Sequence, residues 1–584
     1  MRCVKSVSLA TRGPMPARVG NTILALQCGL ATAATRSPHK RFYRLSRLLG
    51  ERGWLEAATE AVLDNTGSET PGVDGMRGSL LRDPSCRAKF IEKLRDELQG
   101  NYRPSPVLRK YIPKASGGLR PIGIPTIRDR IVQMALKMIL EPIFESDFRC
   151  NSNGFRLERS TLECVLPVYR YGNKKTGYDW VIEGDIKGCF DNIDHEILMN
   201  AVQRRIAGRK IPRLLWRYLK APVIEHGKRT KVGKGTPQGG VLSPLLANIY
   251  LHRFDQYWFR NWGRSTELQR RQRLRKGLAN CVLFRYADDF ILMAKGSRDG
   301  VESIVRDTKQ YFSKHLKLEL SGEKTRVVAL EDGFEFLGFK IQRVRMGHFS
   351  CVRMWPTHRN VVRLVTKLDQ MLGKQADADD PAIKIVELNR VLRGWANYYK
   401  AVNARQQFLF GDYITDRLYR SWYARKKRKR IKQTLTETKQ NGRIAYTREK
   451  QRVELFKMNS LQSMNTPMNF HAIFKYRHIK NPYLTGNYVT CIQEEERPIA
   501  DVRDVHPINR LYDEIYQTHR LEAMERDRWR CTKCGEWVGL DAHHIDPVPL
   551  NGRAFDPEWV HRVENLRTLC DPCHRKLPRK KRTP

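Results

Sequence analysis

Three acidic side chains raise the first chemical question. Trp180-Val-Ile-Glu-Gly-Asp185 reads as an apolar strand that ends in a carboxylate. Far downstream, Cys281-Val-Leu-Phe-Arg-Tyr286-Ala287-Asp288-Asp289-Phe290 reads as two apolar strands with adjacent aspartates at the bend. An isolated Asp-Asp pair is ordinary turn chemistry. Between buried strands it is costlier, since two unit charges about 4 Å apart repel by roughly 1 kcal/mol in water and ~4 kcal/mol at an effective dielectric of 20. A divalent cation relieves that repulsion, and Mg²⁺ binds through one or two carboxylates together with substrate phosphates. Asp185 and Asp288 can together hold the two metals of an in-line phosphoryl-transfer site. A second cluster lies near the end, where Cys531-x-x-Cys534 and Cys570-x-x-Cys573 have strong zinc spacing. Four thiolates would close a structural Zn²⁺ site, which can contribute ~10–16 kcal/mol of folding free energy. The Cys570-Asp-Pro-Cys573-His574 run also fits c-type haem attachment. The upstream cysteine pair and the lack of an export signal favour zinc.

These groups need elements to position them. Residues 1–38 show little periodicity and read as an N-terminal tail, and a helical pattern starts near His39, with Phe42, Leu45, Leu48 and Leu49 at helix spacing. Arg109–Lys114 and Leu119–Pro125 read as a hairpin around Ala115-Ser116-Gly117-Gly118. Strands and helices then alternate to about residue 345, an α+β pattern. From about 355 to 480 the chain reads as mainly helical and very basic, and a less regular stretch precedes the cysteine- and histidine-rich end.

Composition sets the partner class. Among 584 residues, 107 Lys+Arg against 62 Asp+Glu leave a net charge of +45. That surplus calls for a polyanion, because self-repulsion otherwise only destabilises the compact state. The 41% hydrophobic content supports real cores rather than wholesale disorder. No run approaches the length of a membrane span, and Ile23–Ala34 is too interrupted, by Gln27 and Gly29, to read as a signal peptide. Thirteen thinly spread cysteines suit a reducing compartment.

Several motifs in order carry a resemblance. Tyr286-Ala287-Asp288-Asp289 resembles the catalytic box of reverse transcriptases, and Asp185 with Phe190 resembles their first acidic motif. Gly235-Thr-Pro-Gln238-Gly-Gly-Val-Leu-Ser-Pro244 is similar to the family's template- and nucleotide-contacting motif, and Phe334-Glu-Phe-Leu-Gly-Phe339 to its primer grip. The match runs over residues 40–345. It implies that Asp185 and Asp288 ligate Mg²⁺ in a two-metal site with Asp289 in support. It further implies that Phe190 is the steric gate at the ribose 2′ position, and that Lys114 and Arg120 grip the triphosphate of a dNTP. Gln238 would line the nucleotide site, and Lys324 would stand near the leaving pyrophosphate. Arg393-Gly394-Trp395-Ala396-Asn397-Tyr398-Tyr399 resembles the maturase signature of group II intron-encoded proteins. Its helix would carry Val391, Leu392, Trp395, Tyr398, Tyr399 and Val402 on an apolar stripe. Arg390, Arg393, Asn397 and Lys400 would occupy another face, able to meet intron RNA. Tyr419, Trp422 and Tyr423, interleaved with Arg417 and Arg420 and followed by the basic run Arg425–Arg430, suit base stacking and phosphate contact.

The terminal module resembles HNH endonucleases. In that reading His544 is the general base of DNA hydrolysis, His543 and His574 hold a divalent cation, and Asn565 either binds the metal or fixes the loop carrying His544. The expected architecture is multidomain α+β. Fingers and palm of a right-hand polymerase span 39–345. A helical thumb/maturase domain with a basic DNA-binding segment spans 346–480, a linker 481–510, and a small zinc-stabilised ββα-metal (HNH) domain 511–584. The expected partners are group II intron RNA, target DNA and dNTPs, with no membrane, and a homodimer is left open. The expected location is bacterial cytoplasm at the nucleoid, with an organelle as the alternative. The rival functions are a non-catalytic RNA-binding splicing factor and a domesticated reverse transcriptase. The intact carboxylates argue against the first, and the maturase-like and HNH-like motifs against the second.

Overall fold

The computed structural model describes residues 17–113, 118–173, 176–322, 325–346, 349–373, 380–440, 443–448, 451–461, 478–484, 488–490, 523–524, 526–528, 530–535, 540–544, 566–570 and 573. The chain divides into two compact units. One holds residues 1–337, 342–352 and 471–492, the other 338–341, 353–470 and 493–584.

Among the described residues of the first unit, two four-stranded sheets carry the candidate site. Strands β1 (Val107–Pro113) and β2 (Leu119–Ile124) are the expected hairpin, with Ile112 opposite Arg120. β1 also pairs in parallel with the first strand of the short hairpin β4 (Val223–Glu225) and β5 (Lys228–Thr230). The other sheet runs in the order β6-β7-β3-β8, entirely antiparallel, from β3 (Trp180–Gly184), β6 (Asn280–Tyr286), β7 (Asp289–Lys295) and β8 (Arg326–Ala329). Val181, Ile182, Leu283, Phe290, Leu292 and Met293 along these strands are almost fully buried. Phe254 and Phe312, from helices Ser243–Trp258 and Arg298–Leu316, close over Phe290, whose ring stacks on Phe312 at 5.7 Å. The helix Ile127–Glu145 is apolar on most of its circumference and is correspondingly interior.

Two early expectations change. Residues 17–36, read as tail, form a helix. Ile23, Gln27, Ala31 and Ala34 are its buried face, and the Gln27 side chain donates to the Met138 carbonyl at 2.9 Å. A stripe of one isoleucine, one glutamine and alanines gives little hydrophobic contrast, which is why the period is faint. The helix expected from His39 is instead a short 3₁₀ turn, Leu45–Gly50, that buries Leu45 and Leu49. In addition, Tyr483 and Leu484, placed in the linker reading, are buried with Ala31, and the Tyr483 hydroxyl donates to Glu141 at 3.0 Å.

The second unit begins with helices His358–Met371, Pro381–Tyr399 and Arg405–Lys427. The mainly helical character expected to residue 480 ends there, since Arg443–Arg448 and Gln451–Glu454 pair as antiparallel strands. Asn389 clamps this hairpin to its helix by donating to the Glu454 carbonyl and accepting from the Phe456 amide, both at 2.7 Å. Among the described residues no helix is long and apolar enough to cross a membrane.

Candidate active site

The β6–β7 hairpin turns through Ala287 and Asp288, with Tyr286 facing Asp289. On its other side β7 pairs with β3, and the last pair is Gly184 with Phe290. Asp185 directly follows that last pair on one strand, and Asp289, next to the Asp288 turn, adjoins it on the other. The three carboxylates therefore share one edge of the sheet. Gly184 is required there, because a Cβ would lie 2.1 Å from the Phe290 ring. Burial pushes the Asp288 carboxyl above its ordinary pKa and the charge of Asp185 adds to it, while Arg120 and Arg285 pull the other way. Arg120, in the other sheet of this unit, thus faces the same edge. The donor set is all carboxylate oxygen, which fits a hard divalent cation such as Mg²⁺.

A buried polar truss holds the turn. Ala287 has φ 57°, a left-handed conformation uncommon for a non-glycine residue. Arg285, fully buried, donates to the Ala287 carbonyl at 2.8 Å, to Asn248 at 3.1 Å and to Ser152 at 2.7 Å, and pairs with Asp255. Burial would raise Asp255, but the Arg285 charge and hydrogen bonds outweigh it and hold that carboxyl well below the usual range. From the far side Asn248 donates to the Gly154 carbonyl at 2.7 Å, and Gly154 packs against the Ala287 backbone. Sequence reasoning missed these residues. The available signal was a single arginine inside an apolar strand.

The remaining candidates fall around this edge. Phe190 sits on the one-turn helix Cys189–Asn192. The Gly235–Gly240 loop is strapped beside it. The Gly235 amide donates to the Ile193 carbonyl at 2.8 Å and the Thr236 amide to that of Phe190 at 2.8 Å, while His195 Nε2–H donates to the Gly235 carbonyl at 2.7 Å. Gln238 donates to Asp191 at 3.3 Å, and its own carbonyl accepts from Gly123 of β2 at 2.6 Å. The Ser321 amide donates to the Asp185 carbonyl at 2.8 Å. Lys114 and Lys324 lie outside the described residues.

In the second unit, Arg390, Arg393 and Asn397 are exposed on helix Pro381–Tyr399 and Lys400 just past its end, while Leu392, Ala396 and Tyr399 are buried. Gly338 receives two of this unit's side chains at its carbonyl, Tyr399 at 3.1 Å and Asn360 at 3.2 Å, and Phe339 stacks on Tyr398 at 5.2 Å. Tyr419, Trp422 and Tyr423 are a correction: they are buried at 1%, 0% and 4% exposure, so they form core and do not meet bases. The Arg425–Arg430 run emerges from the end of the same helix largely exposed.

At the C-terminal end, the sulfurs of Cys531, Cys534 and Cys573 lie within 4.8 Å of one another. The first two flank a tight turn in which the Gly535 amide donates to the Cys531 carbonyl at 2.8 Å, with Gly535 at φ 76°. Strand Leu540–His544 pairs with Leu566–Cys570, so the strand that carries His543 and His544 lies alongside the one that ends at Cys570. Asn565 and His574 lie outside the described residues.

An antiparallel sheet carrying three carboxylates at one edge, a basic hairpin facing it and a glycine-rich strap beside it define a nucleic-acid polymerase palm and fingers. The family profile described as "Reverse transcriptase (RNA-dependent DNA polymerase)" matches residues 112–341, and "Group II intron, maturase-specific domain" matches residues 361–439. Protein YkfC of Escherichia coli (strain K12) is 41% identical over 371 residues, covering 59% of this chain and 96% of YkfC. Group II intron-encoded protein LtrA of Lactococcus lactis subsp. cremoris is 36% identical over 358 residues, covering 52% of this chain and 58% of LtrA. An uncharacterized 91 kDa protein in the cob intron of Schizosaccharomyces pombe is 29% identical over 602 residues, covering 90% of this chain and 68% of its own. The chain belongs to the group II intron-encoded reverse transcriptase/maturases.

Proposed function

We propose that this protein copies RNA into DNA at the 185/288/289 edge, binds its own group II intron RNA to promote splicing, and mobilises it by target-primed reverse transcription. The observation that carries the reading is the strand register: the last β3–β7 pair, Gly184 with Phe290, is flanked by Asp185 on one strand and by the Asp288–Asp289 turn on the other, and the Asp185 charge acts on Asp288. Asp185 and Asp288 would hold Mg²⁺, with Asp289 supporting them. When bound, the metal ions would activate the primer 3′-hydroxyl and stabilise the departing pyrophosphate. Arg120 and Lys114 would orient the triphosphate of an incoming dNTP, arginine through its bidentate fork, with Lys324 near the departing pyrophosphate. Gln238 would line the base and sugar, and the Phe190 ring would meet C2′ and exclude a hydroxyl there. Arg390, Arg393, Asn397 and Lys400 would contact intron RNA. Asp288→Ala should abolish primer extension on an RNA template while RNA binding persists. Binding without nucleotide incorporation by the unaltered protein would favour the splicing-factor reading instead.

For the C-terminal module we read structural Zn²⁺ on Cys531, Cys534, Cys570 and Cys573, supported by three converging sulfurs. The HNH site would cut the second DNA strand, with His544 as base and His543, His574 and Asn565 about the metal. His544→Ala should stop that cut and leave polymerisation intact. The protein's place would be at the bacterial nucleoid.

A further inference from the structure

Phe155 plays no part in the mechanism so far, yet the chain holds it under strain beside the nucleotide site. Its φ of 57° makes it an outlier for so bulky a residue. Both neighbours are locked. Gly154 is wedged on the catalytic turn, where a Cβ would come 2.3 Å from the Ala287 nitrogen. Arg156 is buried, pairing with Glu145 at 2.6 Å and donating to the Arg149 carbonyl at 2.7 Å. Between them the Phe155 ring turns outward, 47% exposed, and stands edge-on to Phe190 with centroids 6.4 Å apart and planes at 83°. Strained backbone persists where its surroundings over-determine it, and it gathers at functional sites. Phe190 itself rides on a helix of only four residues that follows Gly188 at φ 55°. The Thr236 amide ties the Phe190 carbonyl and fixes the backbone, while the half-buried ring packs against the core on one side and meets Phe155 on another.

We infer that Phe155 is a sugar-specificity residue: its ring buttresses Phe190 and sets how closely the gate approaches C2′ of the incoming nucleotide. The inference rests on the reading of Phe190 as the ribose gate. Excluding one oxygen atom needs a wall that does not yield, and an edge-to-face aromatic contact supplies a lateral stop. Loss of the stop lets the gate swing and admits a ribonucleotide.

The test uses the full chain with a DNA primer on an RNA template, and reads kcat/KM for one dNTP against the matching rNTP. Phe155→Gly removes the ring and relieves the left-handed backbone, so it keeps the fold where Phe155→Ala would strain it. The glycine variant should lose about tenfold or more of the dNTP preference, mainly through a lower KM for the rNTP, while Phe155→Tyr, which keeps the ring edge, should retain it. An unchanged preference in Phe155→Gly overturns the proposal. Phe190→Ala then tells the two failures apart. If it relaxes the preference, the gate stands and only the role of Phe155 is lost, whereas if it does not, the gate reading has failed as well.

Discussion

Arg285 is a lone charge in an apolar strand, and what it holds explains its presence. Arg285→Met leaves Asp255 buried without its guanidinium, with only Asn151 at 3.2 Å and His252 at 3.8 Å beside it, and breaking a buried pair costs about 3–5 kcal/mol. Adding Asp255→Leu should restore most of that stability, measured by thermal denaturation. Primer extension should stay down by about 10²-fold in the double variant, because the Ala287 carbonyl has lost its donor and a 1 Å misplacement is enough for such a loss. Recovery of activity along with stability would show that the truss serves the fold alone. Gly184→Ala works from the other strand. Its Cβ collides with the Phe290 ring, overpacking of this kind costs about 1–3 kcal/mol, and the displaced β3–β7 register should depress extension more than stability. At this scale the carboxylates were legible because acids between apolar strands are conspicuous. Arg285, Asp255, Asn248, Ser152 and Phe155 were not, since their meaning arises only when three separate segments meet around one turn.

Elements were legible in proportion to their hydrophobic contrast. Both long hairpins in the first unit follow from strand-like runs flanking turn residues, continuously apolar in the case of β6 and β7. The helix Ala17–Arg36 hid behind a buried stripe of alanine and glutamine. On helix Arg405–Lys427 the error ran the other way, because aromatics interleaved with arginines suit RNA and a helix core alike, and the helix His358–Met371 and the short turns Ile431–Thr434 and Met458–Ser460 packed on it decided for core. The same helix carries a pH-sensitive joint. Asp412 accepts from the backbone amides of Met458 and Asn459 at 2.8 and 3.0 Å. Burial nevertheless pushes its pKa up to about 6, with those amides and Lys457 opposing. The folded state therefore keeps a proton that the unfolded chain, with an Asp pKa near ~3.9, releases. Stability from this group grows as pH falls through about 6 and is fully present below the unfolded value. Relative to Asp412→Asn, which does not titrate, the wild-type protein should gain roughly 1–3 kcal/mol between pH 7.5 and about 4.5. A difference that stays flat with pH would refute the assignment.

At the scale of the whole molecule, the net charge of +45 announced a polyanionic partner before any motif was read. Charge alone says nothing of which phosphates are met or by which surface, and there the folded chain adds the exposed face Arg390, Arg393, Asn397 and Lys400. If that face binds intron RNA, two consequences are separable. Affinity should fall steeply with salt, by about 10³–10⁵ between roughly 50 and 200 mM for ~6–10 phosphate contacts. Replacing Arg390, Arg393 and Lys400 together by glutamine should lower the log–log salt slope by about 2–3, one phosphate contact for each lost charge. Extension of a short generic primer–template at low salt should change little, because those side chains belong to the second unit and the carboxylates to the first. Filter binding across a salt series reads the slope, and an unaltered slope in the triple variant would move intron recognition to another basic surface, the exposed Arg425–Arg430 run being the next to test by the same substitution.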